Sequence, residues 1–533
     1  MEKHHVNQSM RHVVYAKHGM VATSEPQAAQ AGLDILKKGG NAIDAAIAVA
    51  ATLTVTEPTS NGIGGDNFAI VWYKNQLYGL NASGPSPKLL NLEALRERKL
   101  KEIPKYGLVP ITVPGAVMGW VELSKRFGQL SLKDTFKPAI DYARDGFIVQ
   151  PTVAKNWQNA NLLYQKVLKD EMFAGWFDTF TKNLNAPHKG EVWTLKDHAH
   201  TLEEIADTLG MSFYRGKIAD MIDSFSRIYD GLIRKEDLEN FKVEWVEPIS
   251  TNYRGYDVYE LPPNGQGIVS LMALNMLETF NFQDKELVST YHKQIEAIKL
   301  AFADGLAYIA EPKSMKTSIQ SLLSKNYAWK RSQEIKIKAL EPKAGKPIGS
   351  GTVYLAVADQ EGNMVSMIQS NYMGFGSGIV IPKTGIALHN RGHNFSIDPK
   401  SDNLIAPQKR PYHTIIPGFL MKNRAPLGPF GVMGGFMQPQ GHVQVLMNMI
   451  DFHMDPQQAL DAPRFMWTEH KKILVEPDFN QSIIQGLIKK GHEIVIESNL
   501  GHFGRGQIII KDPVTHVYRA GTEKRCDGTI ASY

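Results

Sequence analysis

Thr352 is the residue whose position in the chain most suggests chemistry. It follows a stretch rich in Pro and Gly, Glu341-Pro-Lys-Ala-Gly-Lys-Pro-Ile-Gly-Ser-Gly351, of the kind that is exposed and open to cutting. It opens a β-rich run, Thr352 to Ala358, and Asp359 to Asn363 then reads as a turn before a second run, Met364 to Ser370. Taken alone, a Thr at the head of a strand is ordinarily structural, because Thr favours strands. Other reactive types are sparse. Cys526 is the single cysteine, so no intramolecular disulfide can form, and nothing around it suggests an activated thiolate. His4 and His5 read as part of a tail rather than a metal site.

The elements around these residues outline a soluble globular chain. It has 533 residues, 43% apolar and 21% charged, with a formal net charge of +5. That length can bury a large core without staples. The densest basic stretch, Arg96-Glu-Arg-Lys-Leu-Lys101, carries an acid and reads as a solvated helix face, so nucleic-acid binding is not expected. Neither a signal-length apolar run near the start nor an 18-residue apolar stretch elsewhere is present, so the expectation is a cytoplasmic protein with no membrane partner.

Ser24 and Gln27 have capping-box spacing around Pro26, which predicts a helix that Gly39-Gly40 stops. Asn41 caps a second, Ala-rich helix, and Phe68 to Tyr73 reads as a strand. Gly62, Gly64 and Gly65 between them invite a dinucleotide reading. Their order is helix, glycines, strand, whereas that fingerprint needs strand, glycines, helix. Turn geometry or close backbone packing fits better. Leu123 to Asp304 is mostly helical in pattern, with Phe173, Trp176, Phe177 and Phe180 as core aromatics. Tyr253 to Glu260 reads as one strand, Pro262 to Gly265 as a turn, and Ile268 to Leu277 as a helix.

Several runs resemble the γ-glutamyltranspeptidase (glutathione hydrolase) family, in its order and over about Gly19 to Tyr533. They are Gly39-Gly-Asn-Ala-Ile-Asp-Ala-Ala46, Gly62-Ile-Gly-Gly-Asp66, Val113-Pro-Gly-Ala116, Thr352 with Asp359 and Gly362-Asn363, Phe375-Gly-Ser-Gly378, Lys409-Arg-Pro411 and Gly434-Gly435. The branch that the chain is most similar to holds glutathione hydrolase-like and cephalosporin-acylase-like members. The resemblance implies an α+β fold, a four-layer αββα sandwich of the N-terminal-nucleophile hydrolase type. It implies a precursor that cuts itself between Gly351 and Thr352. Residues 1–351 would form a large fragment and 352–533 a small one, interlaced in one catalytic unit.

Cutting would make the base that the chemistry needs. A Thr hydroxyl is a weak nucleophile and wants an adjacent base. A freed α-amino group, with a pKa near 8, supplies one, whereas the amide of the precursor cannot. Gly351 offers little hindrance to the N-to-O shift. The resemblance makes Thr352 the nucleophile, Ser370 its supporting hydroxyl (a Thr in most members), and Gly434-Gly435 the donors for the oxyanion.

The acyl pocket departs from the family. Its usual acid for the substrate ammonium reads Asn394, its Gln reads Arg391, its Ser pair reads His413-Thr414, and a nearby Asn reads Tyr372. The Arg of the large fragment falls at Asn81 or Ser83, depending on which proline aligns. The segment Ser396 to Gln408 is short, which should leave the cleft open. The resemblance implies no cofactor or metal, and small γ-glutamyl or related acyl amides as partners. Three readings follow: a γ-glutamyl hydrolase or transferase, an amidase for another acyl group such as glutaryl, and an unprocessed binding protein. The rebuilt pocket motivates the last, and the intact Thr352 and Gly434-Gly435 argue against it.

Overall fold

The computed structural model describes residues 11–342 and 352–533. Gly351, His4 and His5 lie outside those residues. Two seven-stranded antiparallel sheets stack face to face. In chain order their strands are β1 (Val14–Ala16), β2 (Met20–Thr23), β3 (Asp66–Tyr73), β4 (Gln76–Ala82), β5 (Glu244–Val246), β6 (Ile249–Tyr253), β7 (Tyr256–Glu260), β8 (Val353–Ala358), β9 (Met364–Ser370), β10 (Gly418–Lys422), β11 (Ala425–Met433), β12 (Arg505–Lys511), β13 (Tyr518–Thr522) and β14 (Thr529–Ser532). One sheet runs β1-β13-β12-β11-β10-β7-β6 and the other β14-β2-β8-β9-β3-β4-β5. Each sheet combines strands from before and after residue 351.

The hairpin that begins at Thr352 sits at the centre of its sheet, with β8 against β2 and β9 against β3. Both faces of β8 are covered, which is why Val353 to Ala358 is apolar at every position. Tyr354, Ala356 and Ala358 point between the sheets, toward Phe68, Phe419 and Ile509. Val353, Leu355 and Val357 point outward onto the helices α1 (Pro26–Lys37) and α2 (Ala42–Thr56). On the far side, α3 (Gly267–Leu277), α4 (Val288–Tyr308) and α5 (Met437–Ile450) cover the other sheet. The result is the expected αββα sandwich.

Local rules explain most boundaries. Asn41 caps α2 in a reciprocal box with Asp44. Gly39, at φ +96°, ends the preceding turn. The cap of α1, however, is Glu25, whose carboxylate accepts the Ala28 N–H. Ser24 instead donates to Glu57. Of the run Tyr253 to Glu260, only Tyr256 to Glu260 is the expected strand, because Arg254 (φ +53°) and Gly255 (φ +81°) form a tight turn that joins β6, ending at Tyr253, to β7. Trp176 and Phe180 are buried and pack on Phe375, as core aromatics. Among the described residues, no helix is long and apolar enough to cross a membrane.

Candidate active site

Thr352 stands immediately before β8, fully buried, with its Oγ1 3.1 Å from Ser370 Oγ. The antiparallel register places them together: Val353 pairs with Gln369, so the hairpin's open end brings Thr352 beside Ser370. Ser370 Oγ also accepts the Tyr372 N–H at 2.7 Å. Behind Ser370 lies the glycine turn. A Cβ on Gly65 would meet the Ser370 carbonyl at 2.7 Å, and one on Gly64 the Ala387 carbonyl at 2.4 Å. Close backbone approach is therefore what these glycines provide.

Gly434 and Gly435 follow β11 and lead into α5. Their φ angles, +138° and +60°, disfavour side chains. Neither amide N–H donates to another described residue, while Gln438 N–H bonds back to Gly435 O. Two free N–H groups at the head of a buried helix are suited to a developing negative charge.

Arg391 is the centre of the rebuilt pocket. Fully buried, it donates from NH1 to Thr414 Oγ1 at 2.7 Å and lies over the Tyr372 ring at 4.3 Å. Its NH2 and Nε have no hydrogen-bond partner among the described residues. A buried guanidinium with a spare edge is costly to leave so, and it suits a carboxylate. Burial, only partly offset by Asp66, pulls its pKa down to about 10. Tyr372 adopts φ +74°, with its hydroxyl donating to Asn394 Oδ1, while Asn394 Nδ2 donates to Tyr412 O at 2.9 Å. The amide at the family's acid position is thus committed on both sides. Asp402 is held by Lys316 and Asp398 is exposed, so neither folds back to replace the acid.

Asp66, which the sequence marked only as part of a resemblance, lies on β3 opposite Ser370. Its Oδ2 accepts from His413 Nε2 at 2.9 Å and lies 3.9 Å from Arg391 Nε. The tautomer of His413 follows from its other nitrogen, which accepts the Ile415 N–H. Burial outweighs Arg391 and pushes the Asp66 carboxyl up to about 7, while it holds His413 well below the usual histidine range. Gln266, also unforeseen, donates from Nε2 to both Thr414 O (2.7 Å) and Gly435 O (2.8 Å). It ties Thr414, and through it Arg391, to the glycine pair. Asn81 and Ser83 sit one layer back: Asn81 Nδ2 donates to Asn264 Oδ1 at 2.9 Å, and Ser83 Oγ to Asn81 Oδ1 at 2.7 Å.

Where the short Ser396–Gln408 segment suggested an open cleft, Thr352, Ser370, Arg391, His413 and Thr414 are all fully buried. Elsewhere, His292, Glu296 and His492 bring three ligand atoms within 4.8 Å of one another. Those atoms are engaged, however. Glu296 pairs with Lys299 at 2.7 Å, and His292 bonds His492 and the Lys336 carbonyl. Burial pushes the Cys526 thiol up, the opposite of activation.

Comparison with known proteins agrees with this architecture. Over 521 residues the chain is 36% identical to the glutathione hydrolase-like YwrD proenzyme of Bacillus subtilis, covering 96% of this chain and 97% of that one. It is 31% identical to the glutathione hydrolase proenzyme of Escherichia coli, covering 99% and 94%. The crystal structure of cephalosporin acylase from Bacillus halodurans superposes with a TM-score of 0.96 at 56% identity, covering 100% of this chain and 99% of that one. The γ-glutamyltranspeptidase family model matches residues 28–533, and the chain belongs to that family of N-terminal-nucleophile hydrolases.

Proposed function

We propose that the chain is a self-processed acyl hydrolase of the glutathione hydrolase kind, with Thr352 as its nucleophile and a pocket that reads the acyl group through its carboxylate. Cleavage of the Gly351–Thr352 bond frees the Thr352 amine. That amine takes the Oγ1 proton as Oγ1 attacks the substrate's amide carbon. The carbonyl oxygen gains negative charge and is received by the Gly434 and Gly435 N–H groups. The C–N bond breaks, the leaving amine departs with the proton, and the acyl group remains on Oγ1. Water, or an acceptor amine, then repeats the attack in reverse and regenerates the free hydroxyl. Ser370 keeps Oγ1 oriented throughout.

The observation that carries the acyl-group reading is the spare edge of Arg391. A γ-glutamyl group presents a carboxylate and an ammonium, and a glutaryl group presents the carboxylate alone. Arg391 serves the first of these features. The second finds Asn394 already bonded to Tyr372 and Tyr412, which favours glutaryl amides as a second class of substrate. The test is kcat/KM for γ-glutamyl- and glutaryl-p-nitroanilide in wild type and Arg391→Met. Loss of one charge-assisted pair, about 1.5–3 kcal/mol, predicts roughly a 10- to 150-fold fall for both substrates. Unchanged values in Arg391→Met would overturn the reading.

A further inference from the structure

Arg391 already has an anionic neighbour, and a substrate carboxylate would be the second. The surroundings of Asp66 show how both can be accommodated. Asp66 Oδ2 faces three groups at once: His413 Nε2 at 2.9 Å, His389 Nδ1 at 3.6 Å and Arg391 Nε at 3.9 Å. All four side chains are fully buried. His389 Nε2 donates to the Thr112 carbonyl at 3.0 Å. In the neutral ring Nδ1 therefore carries a lone pair, and among the described residues it has no hydrogen-bond partner. A lone pair that faces a carboxylate oxygen is a place for a proton. With Asp66 protonated, its O–H can turn toward His389 Nδ1 while the same oxygen still accepts from His413.

We propose that Asp66 is the resident counter-ion of Arg391, and that an acyl carboxylate takes Arg391 over from it while one proton from solvent settles on Asp66. This rests on the reading of Arg391 given above. Charge balances on both sides of the exchange. Before binding, the guanidinium is neutralised by the Asp66 carboxylate. After it, the guanidinium is neutralised by the substrate, and Asp66 is a neutral acid bonded to His389. Without the proton, two carboxylates would share one buried cation.

The other groups acting on Asp66 do not supply this proton. From the segment before β10, Arg410 adds only a distant positive charge, with its Nε given to the Ser83 carbonyl. The Gly84 N–H donates to Oδ1 at 3.3 Å, and Gly115 N–H also favours the charged form. Tyr214, from the neighbouring helix, feels the Asp66 charge but bonds the Pro114 carbonyl. Burial holds His389 at about 3 and His413 well below its usual range, so Asp66, pushed up to about 7, is the group poised to change charge near neutrality.

The experiment uses glutarate as the probe, because both its carboxylates stay ionised above pH 6. Binding to the processed enzyme is measured by titration calorimetry at pH 6.5 and 8.5, in two buffers of different ionisation enthalpy. Wild type should take up close to one proton per glutarate at pH 8.5. Its Kd should rise about tenfold per pH unit above about 7. Asp66→Asn keeps an acceptor for His413 and should bind with the same Kd at both pH values and lose that uptake. Asp66→Ser serves if the Asn variant does not fold. Binding by wild type without proton uptake overturns the proposal, as does a retained pH slope in both variants, which would place the proton on the Thr352 amine. Arg391→Met separates the two readings. If it binds glutarate as tightly as wild type at pH 6.5, the carboxylate reading is wrong and the role of Asp66 falls with it. If it loses binding while wild type takes up no proton, the Asp66 role alone is wrong.

Discussion

Thr352 Oγ1 and Ser370 Oγ lie 3.1 Å apart at the open end of one buried hairpin, 18 residues apart in the chain. The pair is rigid because both strands are central in their sheet and Ser370 Oγ also accepts the Tyr372 N–H. Thr352→Ala should remain full length and inactive. Ser370→Ala should slow both self-cleavage and turnover, roughly 5- to 150-fold for one lost hydrogen bond of about 1–3 kcal/mol. Ser370→Thr, which keeps the hydroxyl, should recover most of both rates. Gel time courses with N-terminal sequencing of the smaller fragment check this, and a fragment that starts anywhere but Thr352 removes the assignment.

His198 predicts an acid-labile fold. It sits on the helix Lys196–Thr208, 2% exposed, against Phe180 and Gly385. Burial lowers its pKa to about 4, against 6.5 for the ordinary side chain. The folded state therefore keeps the ring neutral where the unfolded chain protonates it. Its contribution is complete above pH 6.5 and is lost as pH falls toward 4. Between pH 7 and 5 the loss is about 2 kcal/mol from this one residue. His389 and His492, lowered in the same direction, add to it. Urea unfolding at both pH values, in wild type and His198→Leu, isolates the term. The variant should lose about 2 kcal/mol less than wild type, and equal losses would count against it.

The parts of this molecule that were legible in sequence are those governed by neighbours in the chain. The hairpin at Thr352 follows from β-rich runs around a turn, and Asn41 announces α2 as its cap. The helix–glycine–strand order excluded a dinucleotide site, and the structure shows those glycines packed against Ser370 and Ala387. The failures are also local in origin. Glu25 displaced Ser24 as the cap of α1, and a turn at Arg254-Gly255 shortened the expected strand to Tyr256–Glu260, leaving Tyr253 at the end of the strand before it. Asp66, His389, Gln266 and Tyr412 were not foreseen, because their partners lie up to 347 residues away. One signal was available for Asp66: it is a charged residue at the head of a strand that is otherwise almost wholly apolar.

Gln266 should act on turnover without touching substrate. It is the buried link between Thr414 O and Gly435 O, and Tyr412 donates to its Oε1 at 3.0 Å. Gln266→Leu leaves the buried Thr414 carbonyl and the Tyr412 hydroxyl unpaired, each worth about 1–3 kcal/mol, and leaves Gly435 O with the Gln438 N–H alone. The glycine pair then loses a fixed point on one side. Because the oxyanion forms only as the bond is made, the loss should fall on kcat rather than KM, by about tenfold or more. A fall confined to KM would place Gln266 in substrate binding instead.

On the proposed reading, Asn394 decides how the pocket treats an ammonium. Its Oδ1 accepts from Tyr372 OH and its Nδ2 donates to Tyr412 O, so it offers a γ-glutamyl amine no negative charge. Asn394→Asp supplies that charge and keeps the acceptor for Tyr372. It gives up only the bond to Tyr412 O, since an ionised carboxylate cannot donate. A charge-assisted hydrogen bond is worth about 1.5–3 kcal/mol, so kcat/KM for γ-glutamyl-anilide should rise relative to glutaryl-anilide by roughly 10- to 150-fold. In wild type the glutaryl substrate should be turned over at least as well as the γ-glutamyl one, because both offer the carboxylate that we propose Arg391 reads. If instead wild type strongly prefers γ-glutamyl-anilide and Asn394→Asp leaves that ratio unchanged, the ammonium is recognised elsewhere, and the pocket discriminates by a group other than Asn394.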